Sequence, residues 1–268
     1  MTDFDFIRAT VLALIQGLTE FLPVSSSAHL ILPSVLLGWE DQGLAFDVAV
    51  HLGTLLAVVV FFRRDLYAIS AGCMHHLATG QASDNSKLGW YLLLATLPVV
   101  IAGFILKDVV DNYMRDARIF GVTTIIFGLL LWVADRKKGA TRSLQQLDLR
   151  TALIIGFSQM LALIPGVSRS GITTTAALMC NLDRDAATRF SFLLAIPVIA
   201  GAALLLLMDL LQAESVNWYE LGYALVLSML TAFACIHYFL RFISRIGFLP
   251  FVIYRMILGC FLLFFVGI

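Results

Sequence analysis

Six stretches of this chain, roughly 46–62, 88–106, 117–134, 188–209, 218–240 and 250–267, are apolar and long enough to cross about 30 Å of hydrocarbon at ~1.5 Å per residue. Nothing else in the sequence limits the fold as much. A backbone immersed in lipid must satisfy its own hydrogen bonds, which a helix does within one segment. Composition agrees: 60% of residues are hydrophobic and 13% charged, and the mean hydropathy is +0.92, outside the range of soluble domains. Four further stretches, 6–22, 24–38, 151–165 and 171–182, are shorter, are broken by Pro23 or by Pro165 and Gly166, and carry Ser, Thr and occasional charges. They read as two re-entrant helical hairpins. The expected fold is an all-α polytopic membrane protein with six transmembrane helices plus two re-entrant helical hairpins, forming one integral domain over 1–268.

The order of segments repeats. With Pro23 laid on Pro165, Phe46 falls on Phe190, Asp65-Leu66 on Asp209-Leu210, Leu88-Gly89 on Leu221-Gly222, and Gly128 on Gly259. The two halves run over about 1–140 and 148–268. Each holds one hairpin and three spans, an odd number of crossings, so the second half enters the membrane from the opposite face. That is an inverted-topology repeat. Hairpins entering from opposite sides meet near the midplane and bring their polar turns to one cavity.

The formal net charge is zero, which offers nothing to a nucleic acid, and the basic residues matter only through where they sit. Arg63, Arg64, Lys87, Arg136, Lys137, Lys138, Arg142 and Arg150 flank loops on one side of the spans, joined by Arg184, Arg189, Arg241 and Arg245. The positive-inside rule makes that side cytoplasmic. On the other side, Lys107, Arg115 and Arg118 alternate with Asp108, Asp111 and Asp116, and 211–217 has no Lys or Arg. The first hairpin and the C-terminus then lie outside. No basic stretch or small-residue cleavage site precedes the first apolar segment, so no removable signal peptide is expected. Cys73, Cys180, Cys235 and Cys260 fit neither a metal nor a disulfide pattern. The segment 65–87, with His75 and His76, reads as a solvated cytoplasmic loop. Arg255, just inside the last apolar stretch, reads as snorkelling to the cytoplasmic interface with Arg241 and Arg245, without a role in the site.

The polar turns carry the chemistry. Pro165-Gly-Val-Ser-Arg169-Ser-Gly-Ile-Thr173 suits a phosphate. Gly166 and Gly171 let backbone N–H groups approach an anion, Ser168, Ser170 and Thr173 offer hydroxyls, Arg169 binds two oxygens at once, and a helix starting near Ser170 adds its positive end. Close helix packing would explain the small residues equally well, with Arg169 paired to a carboxylate such as Glu20. In the first turn, Gln16 and Glu20 are four apart on one helix face, and Ser26 and His29 are three apart on another. Glu20 can pair with Arg169 or hold a divalent metal bridging phosphate oxygens. His29 can take a proton from Ser26 or from water, or simply satisfy a buried carbonyl while Ser25 and Ser26 cap a helix. His51, near Asp47, can face the same cavity or act as a strut between helices.

These two segments, Gln16-Gly-Leu-Thr-Glu20-Phe-Leu-Pro-Val-Ser-Ser26-Ser-Ala-His29 and Pro165 to Thr173, resemble the two signatures of the undecaprenyl-diphosphate phosphatase family of the bacitracin-resistance type. The resemblance extends to Phe46-Asp-Val-Ala-Val-His-Leu-Gly-Thr54, Phe190-Ser-Phe-Leu-Leu-Ala-Ile-Pro197 and the segment from Pro250 to Arg255. Where the family pattern offers Glu or Gln four residues before its glutamate, this chain has Gln16, which leaves Glu20 as the lone carboxylate. The resemblance implies hydrolysis of undecaprenyl diphosphate to the monophosphate, recycling the carrier lipid for peptidoglycan synthesis and conferring bacitracin resistance. It implies a bacterial inner (plasma) membrane location, a divalent cation (Mg2+ or Ca2+), and a tendency to form a homodimer. Carried over residue by residue, Glu20 binds metal and diphosphate, Ser26 is the nucleophile, His29 its acid/base partner and Arg169 the phosphate clamp. Ser25, Ser27, Ser168, Ser170 and Thr173 complete the cradle. The expected pocket opens to the periplasmic face, with the prenyl tail leaving sideways into lipid and Ser26 or an activated water as nucleophile. Inverted repeats also build transporters, so the competing reading is a flippase for a phosphorylated polyprenyl lipid.

Overall fold

The computed structural model describes residues 5–40, 43–113, 117–137, 141–210 and 217–266. Among these the chain is helical, and the α-helices in order are α1 (Phe6–Thr19), α2 (Ser26–Leu30), α3 (Leu32–Leu37), α4 (Gly43–Phe61), α5 (Arg63–Thr79), α6 (Asp84–Tyr113), α7 (Ala117–Asp135), α8 (Leu149–Gln159), α9 (Arg169–Met179), α10 (Arg184–Leu210), α11 (Trp218–Ile246) and α12 (Leu249–Phe261). Among the described residues, five segments are long and apolar enough to cross a membrane: Gly43–Phe61, Asp84–Leu106, Arg118–Asp135, Arg184–Leu204 and Trp218–Ile246. They match the first five expected spans. The sixth expected span forms a shorter apolar helix, α12, followed by a π-helical turn over Leu262–Val266. Large apolar side chains such as Phe104 and Ile105 of α6 and Leu230 of α11 point outward and are exposed, the arrangement expected of a protein whose solvent is lipid. Arg115, Asp116 and Lys138, and 211–216 of the segment free of Lys and Arg, lie outside the described residues.

Two expectations fail. Residues 65–79 of the expected loop 65–87 lie in helix α5, which has Asp65 in its first turn, His76 in its last and Gly80 as a left-handed cap at φ 73°. Asp65 complements the positive end of the helix dipole and the glycine closes the helix. The Ser, Thr and Gly content suggested a loop because α5 lies along α6 with most of its surface uncovered and needs few apolar residues. Its contact is close at Gly89, where an added Cβ would crowd Cys73 and Ile69. His76 accepts a hydrogen bond from Trp90 Nε1 at 3.1 Å and so belongs to that contact. The second failure is Arg255, which is 0% exposed and lies in the interior between the hairpins.

Each hairpin begins in the same way. The Asp5 carboxylate accepts the Arg8 N–H at 3.1 Å to cap α1, and the Asp148 carboxylate accepts the Thr151 N–H at 2.7 Å to cap α8. The hairpins also turn alike: Ser25 (φ 74°) and Ser168 (φ 71°) both hold a left-handed backbone before α2 and α9. Both matches fall at a spacing of 143 positions, which puts Pro23 opposite Gly166, one place from the alignment that the prolines suggest. The Thr151 N–H, with Arg142 beside it, holds the Asp148 carboxyl below the usual aspartate range against the opposing effect of burial. Its stabilising contribution is present at neutral pH and is lost as pH falls through that lowered value. The Asp148 side chain is 56% exposed, so solvent screens the Arg142 pair and the cap bond dominates. Asp148→Ala is expected to cost about 1 kcal/mol, read as a lower Tm at pH 7 that converges on wild type in acid.

The core gathers where the hairpins meet α10. Phe21, Phe190, Phe192, Phe239 and Phe248 are buried there with Ile155 and Leu193. Phe21 meets Phe192 edge-on at 5.1 Å between ring centroids. α4 and α11 pack so closely at Gly53 that an added Cβ would strike the Leu225 carbonyl and the Ser228 hydroxyl, and Ser228 Oγ donates to Val50 O at 3.1 Å. Small residues allow this approach in lipid, where apolar burial alone favours no helix pair.

Candidate active site in the two hairpins

Glu20 follows the last turn of α1, its N–H bonded to Gln16 O at 3.0 Å. This fixes the direction of the carboxylate, and three side chains converge on it. Arg169 Nη2 donates to Oε1 at 2.9 Å, while Gln16 Nε2 and Ser26 Oγ each donate to Oε2 at 2.9 Å. His51 Nε2 stands 4.0 Å from the same Oε2. The pair is enclosed, with side-chain exposures of 13% for Arg169 and 8% for Glu20. Arg169 lies at the start of α9, its Cζ 5.8 Å from the centroid of the Phe21 ring. Its Nη1 donates to Ser191 O at 3.3 Å. Each hairpin thus supplies one half of a buried ion pair.

Beside this pair is a cavity of about 430 Å³. Ser26, Ser27, Asp47, His51 and Glu40 form its polar wall, and Leu12, Leu30, Phe120 and Leu163 are among its apolar residues. Such an amphiphilic hollow suits a charged headgroup on a hydrocarbon chain. His51 presents its Nε2 edge there because Nδ1–H is spent on Asp47 O at 2.7 Å.

Comparison with known proteins shows the family. A model of the bacitracin resistance protein BacA family matches residues 9–261. The chain belongs to that family. A relative from Teredinibacter turnerae, named undecaprenyl-diphosphatase, is 55% identical over 257 residues, which is 95% of this chain and 97% of the relative.

In this BacA-family chain the residues singled out by sequence fall into two groups. Glu20, Ser26, Arg169, Gln16 and His51 are brought together, and Ser27 shares the cavity wall. The others are bonded within the protein. Ser25 Oγ meets Ser27 Oγ at 3.1 Å, and Ser168 Oγ meets Ser170 Oγ at 3.2 Å, the same pair in each hairpin. Ser170 Oγ donates across to Leu22 O at 2.9 Å, and Ser168 Oγ accepts the Gly171 N–H at 3.1 Å. Thr173, fully buried, donates to Arg169 O at 2.8 Å and meets Ser191 Oγ at 2.7 Å, which braces the segment that receives Arg169. Gly166 (φ 86°) sits so close to α7 that a side chain would strike Thr123 and the Phe120 backbone, and a Cβ on Gly171 would come 3.0 Å from Arg255 Nη1. Both glycines serve close approach within the protein. His29 Nδ1–H donates to Ser25 O at 2.7 Å, and its Nε2 accepts the Tyr254 hydroxyl at 2.5 Å. Its described hydrogen bonds do not include Ser26.

The residue that sequence reasoning missed is Arg255. It was legible as a charge several residues inside an apolar stretch, which in a membrane marks a functional position. Assigning it to the interface discarded that signal.

Proposed function

We propose that this chain hydrolyses undecaprenyl diphosphate to undecaprenyl phosphate and inorganic phosphate in the bacterial plasma membrane, returning the carrier lipid to peptidoglycan synthesis and so conferring bacitracin resistance. The observation that carries this is the Glu20–Arg169 pair, with Ser26 bonded to it in the polar wall of an apolar-floored cavity. The diphosphate occupies the polar end, and the prenyl tail follows Leu12, Leu30 and Phe120 toward lipid. Arg169 turns part of its donor fork from Glu20 to the transferred phosphoryl oxygens, where its charge counts most in a site shielded from water. Ser26 Oγ attacks the terminal phosphorus as its proton passes to Glu20 Oε2. The bond to the bridging oxygen breaks, undecaprenyl phosphate departs, and water then hydrolyses the phosphoserine to free phosphate. His51, facing the cavity, carries the proton out. His29, held between Ser25 and Tyr254, shapes the turn that presents Ser26.

A divalent cation fits this site. Gln16 Oε1 is buried without a hydrogen-bond partner beside Glu20, and a magnesium or calcium ion takes hard oxygen ligands from one carboxylate together with substrate phosphates. Glu20 and Gln16 Oε1 would hold it. When bound, such an ion neutralises the charge of the diphosphate. Among the described residues no group of three His, Cys, Asp or Glu could hold a metal alone, which favours an ion that arrives with substrate.

The inverted-repeat and re-entrant reading is supported by the matched caps, the matched serine turns and the meeting of both hairpins at one ion pair. The length of 249–266, about 27 Å at ~1.5 Å per residue, supports a sixth crossing. The basic ends of α7, α10 and α11 come together through the Arg184–Asp135 pair at 2.6 Å and the bond from Phe248 N to Asp135 at 3.1 Å. This supports one cytoplasmic face, with the active-site cavity open to the other.

The test is phosphate release from undecaprenyl diphosphate by purified protein in detergent. Release is expected to fall at least tenfold with chelator and to return on adding magnesium or calcium. No release from folded protein would shift the reading to lipid transport.

A further inference from the structure

Arg255 of α12 takes no part in the reaction outlined above, yet it is fully buried beside the site. All five N–H donors of its guanidinium meet main-chain carbonyls. Nε donates to Thr124 O at 3.0 Å, Nη1 to Pro23 O at 3.2 Å and Val167 O at 3.1 Å, and Nη2 to Gly166 O at 3.0 Å and Val167 O at 3.1 Å. No described ion pair includes it. Burying an arginine is unfavourable unless each donor is matched. Here each is matched, and the acceptors come from both hairpin turns and from α7.

The choice of acceptors is informative. Pro23 and Gly166 are opposite one another in the register set by the caps and the serine turns, so the guanidinium bridges equivalent carbonyls of the two halves. Pro23 lies between Glu20 and Ser26 in sequence, and Gly166 and Val167 lie just before Arg169. Helix α12 grips the first turn a second time through the adjacent Tyr254, whose hydroxyl donates to His29 while the two rings stack 5.4 Å apart at 7°. A hydrophobic residue could fill this space, and a lysine could neutralise part of it. Neither supplies five donors in one plane.

We propose that Arg255 is the positioning residue of the active centre: its guanidinium clamps the carbonyls of the two hairpin turns so that Glu20 and Ser26 of one hairpin meet Arg169 of the other. It touches neither substrate nor the reacting atoms. The consequence is kinetic. Loosening the clamp leaves the cavity able to admit the lipid but misaligns the groups that act in the transition state, where a small displacement is costly.

This inference rests on locating the reaction at Glu20, Ser26 and Arg169, and the experiment separates the two. Arg255→Lys and Arg255→Ala are purified in detergent beside Arg169→Ala, checked by gel filtration and melting, and assayed for phosphate release. For folded Arg255→Lys, kcat is expected to fall at least a hundredfold while KM stays within threefold. Guanidinium ion at millimolar concentration is expected to restore Arg255→Ala at least tenfold without restoring Arg169→Ala. If Arg255→Ala does not fold, the kcat and KM of Arg255→Lys decide. The proposal is overturned if folded Arg255→Lys keeps kcat within threefold of wild type, if its loss lies wholly in KM, or if Arg255→Ala folds and guanidinium does not restore it. Full activity in Arg169→Ala would instead overturn the location of the reaction.

Discussion

Arg169→Ala is expected to lower kcat/KM for undecaprenyl diphosphate at least a thousandfold. Two effects act in the same direction. The variant loses the donors that stabilise charge on the transferred phosphoryl group, each worth about 10²–10³ in rate where the site is dry. It also leaves Glu20, with a side-chain exposure of 8%, as a buried carboxylate facing a polyanion without its main counter-charge, a situation costing about 3–5 kcal/mol. Arg169→Lys restores the charge but not the planar fork that reaches Glu20 and Ser191 together, so it should recover less than a tenth of wild-type activity. Steady-state phosphate release, with a melting curve for each variant, measures both. An Arg169→Ala enzyme within tenfold of wild type would sink the assignment.

Ser26→Ala is the second large effect, and its size separates two chemistries. As the nucleophile, Ser26 should be worth on the order of 10⁴ or more in kcat, with KM little changed, because removing an attacking group leaves only binding and electrostatic catalysis. Acid quenching of wild type during turnover should then trap phosphate on residue 26, detectable by peptide mass. A loss of only ten- to a hundredfold, with no trapped phosphoserine, would mean that water attacks and that the bond from Ser26 Oγ to Glu20 at 2.9 Å merely orients the carboxylate.

Much of this is legible in the sequence. Five apolar spans, the breaks near Pro23 and at Pro165 and Gly166, and the convergence of Glu20, Ser26 and Arg169 follow from apolar length, from proline and glycine placement, and from ionisable residues set deep in an apolar chain. Side-chain direction was harder to read. Ser26 and His29 share a helix face by spacing, but α2 is only five residues long, and its imidazole bonds back to Ser25 O and across to Tyr254. That cross-contact, 225 positions away in sequence, leaves no periodic trace. Helix α5 was missed because hydropathy reports burial, and this helix buries little. The one-place shift of the repeat arose because proline marks a turn only to within a residue, whereas Asp5 and Asp148 mark the helix starts themselves.

Arg255 reads no side chain at all. Its acceptors are the carbonyls of Thr124, Pro23, Gly166 and Val167, atoms that nearly every amino acid supplies alike. The join between the hairpins therefore depends on the path of the chain, which Gly166 and Gly171 keep close enough for the guanidinium to reach. Outside those glycines and the reacting groups, side chains of the turns can change while the two hairpins remain registered to one another. Two hairpins fastened in this way can vary independently without coming apart at the seam.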